Sequence, residues 1–273
     1  MSENFSTLQE DDDFPVDSLA GLDASEEDSR EHDSQDTSAI CESSENTYWQ
    51  ISRTPLTSLI FSLPLILMYE GGVIILGYGS PRNGADVWLR QFLDQIGFGA
   101  YFLLPFLTIV GLLAWHHIAH DTWHFRAGIL LGMAAESLLW AFLLITIANL
   151  HETFWTVAVD NAPLVNLLSR FVGYCGAGLY EEVLFRLILL PTLIWLLRRC
   201  GVTPISAGVC AVCTTSVLFS AAHYVGPLGE PFYLYSFTFR TLAGLFFSTL
   251  FLTRGFGITA GSHATYDLLV GLS

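Results

Sequence analysis

Gly178-Leu179-Tyr180-Glu181-Glu182-Val183-Leu184-Phe185-Arg186 sets two adjacent acids and an arginine at the head of a long apolar run. The continuation, Leu187 to Leu197, is almost wholly Leu, Ile, Pro and Trp, a composition suited to lipid or to the interior of a helical bundle. A charge at the bilayer centre costs about 2.5–3.5 kcal/mol on insertion scales, so acids in such a run need partners and mark a functional site by default. The rest of the chain is read as a search for those partners.

Of the 273 residues, 52% are hydrophobic and 14% charged, far too apolar for a soluble domain of this size and in keeping with a polytopic membrane protein. The formal net charge of −15 is misleading, because residues 1–50 hold fifteen Asp and Glu against one basic residue, Arg30. The remainder is close to neutral. Every basic residue is Arg, which excludes lysine chemistry such as a Schiff base. Residues 1–47, with Glu10-Asp11-Asp12-Asp13 and Ser25-Glu26-Glu27-Asp28-Ser29, are too polar and too like-charged to bury a core. They are expected to form a disordered acidic tail, either plainly solvated or docking a basic partner. No basic n-region with a short apolar stretch and cleavage site opens the chain, so the first hydrophobic segment is expected to remain as an anchor.

Hydrophobic runs of about 20 residues, the length the hydrocarbon thickness requires, then follow one another. The expected spans are Leu56–Gly77 with Glu70 inside, Ala100–Ile118, Ala127–Leu150 with Glu136, a long helix Leu164–Arg199, Pro204–His223, Phe232–Leu252 with Arg240, and a last helix Gly257–Leu272. This predicts an all-α fold: a polytopic transmembrane helix bundle of about seven spans over residues 48–273, with a catalytic core over about 165–272. Pro191 is expected to kink the long helix. Val87 to Leu93 reads as a short amphipathic helix on the membrane surface. With the N-terminus cytoplasmic, Arg53, Arg126, Arg198, Arg199 and Arg254 fall inside and Arg82 and Arg90 outside, as the positive-inside rule asks.

Two further clusters admit bland readings. His116, His120 and His124 are four apart and would share a helix face, which suits either a metal site or a hydrophilic interfacial loop. Cys41, Cys175, Cys200, Cys210 and Cys213 show neither a disulfide framework nor a zinc spacing, and Cys210 and Cys213 read as small core residues.

The partners for the two acids come from three helices. Glu182 and Arg186 are i,i+4 and share a face; Glu181 points about 100° away and has no local partner. Phe219 and His223 are again four apart, as are His263 and Asp267, the latter pair amid Gly261, Ser262 and Ala264. Glutamate with a nearby imidazole deprotonates water, and a second histidine with a carboxyl or carboxamide stabilises the oxyanion formed on a carbonyl. No serine or cysteine nucleophile is needed.

Glu181-Glu182-x-x-x-Arg186, Phe219-x-x-x-His223 and His263-x-x-x-Asp267, in this order and each in an apolar helix, resemble the three motifs of the CPBP family of intramembrane glutamic endopeptidases. That family includes the type II CAAX prenyl proteases and the Abi and bacteriocin-processing proteins. The resemblance covers about residues 165–272. It implies that Glu181 activates water with help from His223, that Glu182 and Arg186 hold the helix face, and that His263 and the residue at 267 form the oxyanion hole. Much of the family carries Asn at that last position. An ionised Asp267 cannot donate, so it must be protonated or orient His263 instead.

The implied enzyme is an integral, multi-pass membrane endopeptidase hydrolysing a peptide bond of a membrane-embedded or lipidated substrate. No cofactor and no nucleic acid enter this reading. Three other readings stay open. Glu181, His223 and His263 are numerous enough to be zinc ligands with water in a fourth position, although no H-E-x-x-H is present. A non-catalytic immunity-like or membrane binding protein would use the same polar cluster. A transporter would also place protonatable groups in spans, but these gather in the last four, without an inverted repeat.

Overall fold

The computed structural model describes residues 48–77, 82–123, 125–153, 167–226 and 229–271. The acidic tail, His124 and the stretch 154–166 lie outside the described residues, so the expectations for them are not addressed further. Among the described residues the chain is all-helical: α1 (Pro55–Leu76), α2 (Gly84–Gln95), α3 (Leu103–Ile118), α4 (Ala127–Glu152), α5 (Leu167–Gly176), two π-helical segments (Ala177–Glu181 and Val183–Leu189), α6 (Leu190–Arg199), α7 (Pro204–Ala222), α8 (Leu234–Arg254) and α9 (Phe256–Gly271). A helix thus stands at each predicted span. Four of them, α1, α4, α7 and α8, are each long and apolar enough to cross a membrane, and the protein is a membrane protein. Their outward faces carry Leu67, Ile75, Leu131, Leu139 and Ile205, all largely exposed, as lipid-facing side chains are.

The helix starts follow local chemistry. Thr54 and Thr203 each cap a helix whose next residue is proline, a residue that has no N–H to leave unsatisfied there. Gly255, at φ 82°, turns the chain sharply from α8 into α9, a backbone conformation that disfavours a side chain.

At the centre runs α9, in which every residue from Phe256 to Ala264 is buried. It packs against α4, the first π segment, α1, α8 and α5. Small residues permit the approach: a Cβ on Gly178 would lie 2.5 Å from the backbone nitrogen of Ala264, and one on Gly257 2.8 Å from Cα of Ser58. At the α7–α8 crossing Gly244 lies equally close to Ser216. Away from the polar centre, Glu136 on α4 receives both Nε and Nη2 of Arg254, at 2.5 and 2.7 Å, and the Tyr48 hydroxyl at 2.7 Å. Arg254 also lies 3.7 Å over the Trp49 ring. Burial and the neighbouring Glu136 push the Tyr48 phenol up to about 12, so it stays a donor.

Three expectations are corrected. The long helix is not uniformly α: it widens to π geometry from Ala177 to Leu189 and returns to α at Leu190, where Pro191 has no N–H to continue the ladder. Cys210 and Cys213 lie on the exposed face of α7 rather than in the core, because hydropathy does not distinguish lipid-facing from buried positions. The helix α3 ends at Ile118, so His116 and His120 share no helical face; His116 is buried edge-on against Trp123 and His120 adopts φ 55° beyond the helix end.

Candidate active site

The two glutamates diverge as adjacent helical residues must. Glu182 is fully buried. Its Oε1 lies 3.1 Å from Nη1 of Arg186 and 2.7 Å from Nδ1 of His263 on α9. The guanidinium of Arg186 is boxed by aromatic faces, 4.4 Å over Phe219 and 5.5 Å over Phe247, and its Nη2 donates to the Gly244 carbonyl at 3.3 Å. This buried pair offsets both charges, and Nδ1 of His263 faces the same carboxylate oxygen as Arg186. Phe247 stacks on the same imidazole at 4.4 Å and 18°, fixing its plane.

Glu181 faces the other way. It is 9% exposed and lines a cavity of about 520 Å³ together with His223, Phe247, His263 and Asp267. Its Oε2 lies 3.9 Å from Nε2 of His223 and 3.8 Å from Nε2 of His263. Those distances are too long for direct hydrogen bonds, and each is short enough for a water to bridge. The other ring nitrogen of His223, Nδ1, is 2.8 Å from the Phe219 carbonyl, an oxygen that only accepts, so the proton there is on Nδ1. Both histidines therefore present Nε2 to one carboxylate oxygen.

The i,i+4 spacing of each motif is realised in space. Phe219 closes one wall, edge-on to Phe185 and His223, with ring centroids 5.3 and 5.1 Å away. Asp267 also lies against His263. Its Oδ2 stands 3.6 Å from Nε2 of His263, so it does not anchor that ring; Glu182 does, from the opposite nitrogen. Glu181, Glu182, Arg186, His223, His263 and Asp267 all meet in one place, drawn from the π segments, α7 and α9. Among the described residues no three His, Cys, Asp or Glu are arranged to hold a metal ion.

Residues from the first two helices also reach this centre, which the motif search confined to the later helices did not anticipate. Asn83, the N-cap of α2, donates from Nδ2 to Oε1 of Glu181 at 2.8 Å. Tyr180 donates to Glu70 at 2.6 Å, and Tyr69 to Asp86 at 2.9 Å. Glu70 inside an apolar run was the one sequence signal for this second polar group, since an acid there needs a partner. A second cavity, of about 450 Å³, lies between α2 and the end of α7, lined by Val87, Trp88, Phe185 and Val225. It shares Arg82, Asn83, Glu181, His223 and Glu230 with the first, so the two adjoin along an edge that includes the Glu181 carboxylate.

Residues 163–269 match the model of the family described as type II CAAX prenyl endopeptidase, Rce1-like. Every motif residue named above falls within that segment, and Asn83, Glu70 and the rest of α1 and α2 fall outside it. No curated protein and no solved structure matches the chain.

Proposed function

We propose, on the premise that residues 163–269 form a domain of the CPBP, CAAX-protease family, that this membrane protein is an intramembrane glutamic endopeptidase. The observation that carries the reading is the placement of Glu181 Oε2 at 3.9 and 3.8 Å from two imidazole Nε2 atoms at the junction of two cavities. A water in that gap donates one proton to Glu181 as its oxygen attacks the scissile carbonyl carbon. His223, whose Nε2 is an acceptor, orients the water's second proton. The carbonyl π electrons move to oxygen, and His263, held through Nδ1 by Glu182, donates from Nε2 to that oxyanion. Collapse of the tetrahedral intermediate breaks the C–N bond, and the proton held by Glu181 passes to the leaving nitrogen. Atoms balance as one water added across one amide.

The substrate is a membrane-embedded or lipidated peptide whose chain runs across Glu181 from one cavity into the other. The apolar walls of the smaller cavity and the aromatic walls of the larger suit such a chain. Glu182, Arg186 and Phe247 serve His263 rather than the substrate. Water activation in this mechanism needs no metal ion, and zinc on Glu181, His223 and His263 is the alternative the test separates.

The test is cleavage of a panel of membrane-anchored peptides, prenylated and not, by the detergent-purified protein. Internal cleavage that resists a chelator and disappears in Glu181→Gln is expected. Retained cleavage in Glu181→Gln, or binding without cleavage in the parent, refutes the hydrolase; loss on chelation refutes the metal-free mechanism.

A further inference from the structure

We propose that Asn83, outside the matched segment, is a positioning residue that decides which oxygen of Glu181 receives the proton from water; this rests on the hydrolytic reading above. The orientation of its carboxamide follows from its surroundings. Oδ1 accepts the Ala85 backbone N–H at 2.9 Å while Nδ2 lies 2.8 Å from Glu181 Oε1. Exchanging O and N would set a donor against a donor at Ala85 and an acceptor against an acceptor at Glu181, so only one orientation is stable. Glu181 Oε1 is thereby committed as an acceptor of an amide hydrogen. The incoming proton goes to Oε2, the oxygen that faces both histidines.

Capping α2 does not by itself call for asparagine. Serine, threonine or aspartate accept the same N–H, but only the longer carboxamide accepts at Ala85 with one atom while its other atom reaches Glu181 with a donor. The segment that carries Asn83 is itself held rigidly. Its N–H lies 3.2 Å from the Tyr69 hydroxyl, which donates to Asp86. Asp86 takes Arg82 at 2.7 Å and Arg90 at 2.5 Å, and Arg90 extends to Glu70 at 2.7 Å. Glu70 accepts from Tyr180, the residue before Glu181, and so closes the loop. One side of Glu181 is therefore tied to α1 and α2 both through Asn83 and through its chain neighbour. This gives the first two helices a catalytic reason to be present: they fix the base at a tolerance its own helix does not supply.

Two variants keep the cap and remove the donor. Asn83→Ser retains a capping oxygen that does not reach Glu181, and Asn83→Asp replaces the donor by a second carboxylate. Cleavage of the panel peptide that the parent cuts best should show kcat down about 100-fold in the aspartate variant and roughly tenfold or more in the serine variant, as a misplaced catalytic group predicts. KM should stay at the parental value in both variants, and melting temperature in detergent should stay near parental in the serine variant, which keeps the cap, while the aspartate variant, with two carboxylates against each other, should melt lower. Parental kcat in both variants, or a loss of kcat matched by a loss of melting temperature in the serine variant, overturns the proposal. Glu181→Gln runs in the same assay: if it cleaves, the hydrolytic reading fails, whereas if it is inactive and the Asn83 variants are not, the positioning role alone fails.

Discussion

Replacing each glutamate of the adjacent pair by glutamine should separate chemistry from architecture. Glu182 and Arg186 are both fully buried and 3.1 Å apart. At an effective dielectric of about 20, a pair at that separation attracts by about 5 kcal/mol. Glu182→Gln removes this and leaves a guanidinium in the interior facing an amide, so the cost should approach the roughly 3–5 kcal/mol of breaking a buried pair. For a domain of this size each kcal/mol lowers the melting temperature by about 2–4 °C, so a fall of about 6–20 °C is expected. No arginine pairs directly with Glu181; Arg186 acts on it only at longer range, and its nearest ionisable partners are two imidazoles at 3.8 and 3.9 Å. In Glu181→Gln the side-chain oxygen can still accept from Asn83, and the cost should stay near 1 kcal/mol. Activity should order oppositely: a loss of about 10³-fold or more for Glu181→Gln, and a smaller loss for Glu182→Gln, whose amide can still accept from His263. The measurements are thermal unfolding in detergent and peptide cleavage on the same preparations. A Glu181→Gln protein destabilised as much as Glu182→Gln, or a Glu182→Gln protein that melts with the parent, would refute the division of roles.

Gly178→Ala should cost about 1–3 kcal/mol, because the new Cβ meets the Ala264 backbone at 2.5 Å and pushes α9 outward. His263 moves with that backbone, so cleavage should fall more than the folded fraction does; equal losses would contradict this. Glu136→Gln should destabilise by roughly 3–5 kcal/mol, since it strips the bidentate partner from Arg254, which is 2% exposed. Its kcat per folded molecule should match the parent, and a reduced kcat would connect this distant pair to the chemistry. Asp267→Asn supplies a neutral donor within reach of the position 3.6 Å from His263. If protonated Asp267 serves the oxyanion, this variant should cleave at least as fast as the parent at neutral pH and hold its rate at higher pH, where the parent's declines. A parallel decline in both removes Asp267 from that role.

Much of this followed from one dimension. A span length, an apolar composition and acids embedded in it define a helical membrane protein with a polar centre, because the bilayer fixes helix length and penalises unpartnered charge. The i,i+4 spacings of Glu182 with Arg186, Phe219 with His223 and His263 with Asp267 are local geometry, so the pairs could be read from the chain alone. The same locality gave Glu182 an arginine one turn on and left Glu181 without a local partner.

Contacts between residues far apart in sequence followed from tertiary packing alone. Nothing local indicates that Glu182 rather than Asp267 anchors His263, since 81 positions separate the first pair and only packing of α9 on the π segments joins them. Asn83 lies 98 positions from Glu181 in an unremarkable turn, where its type reads as a cap and nothing more. The widening of the central helix to π geometry has no periodicity signal in a run that is apolar on every side, and the same uniformity concealed that Cys210 and Cys213 face outward. The sequence thus determined the nature of the helices and the chemistry they carry. The tertiary structure decided which side chains surround Glu181, because that depends on how helices from both halves of the chain close around it.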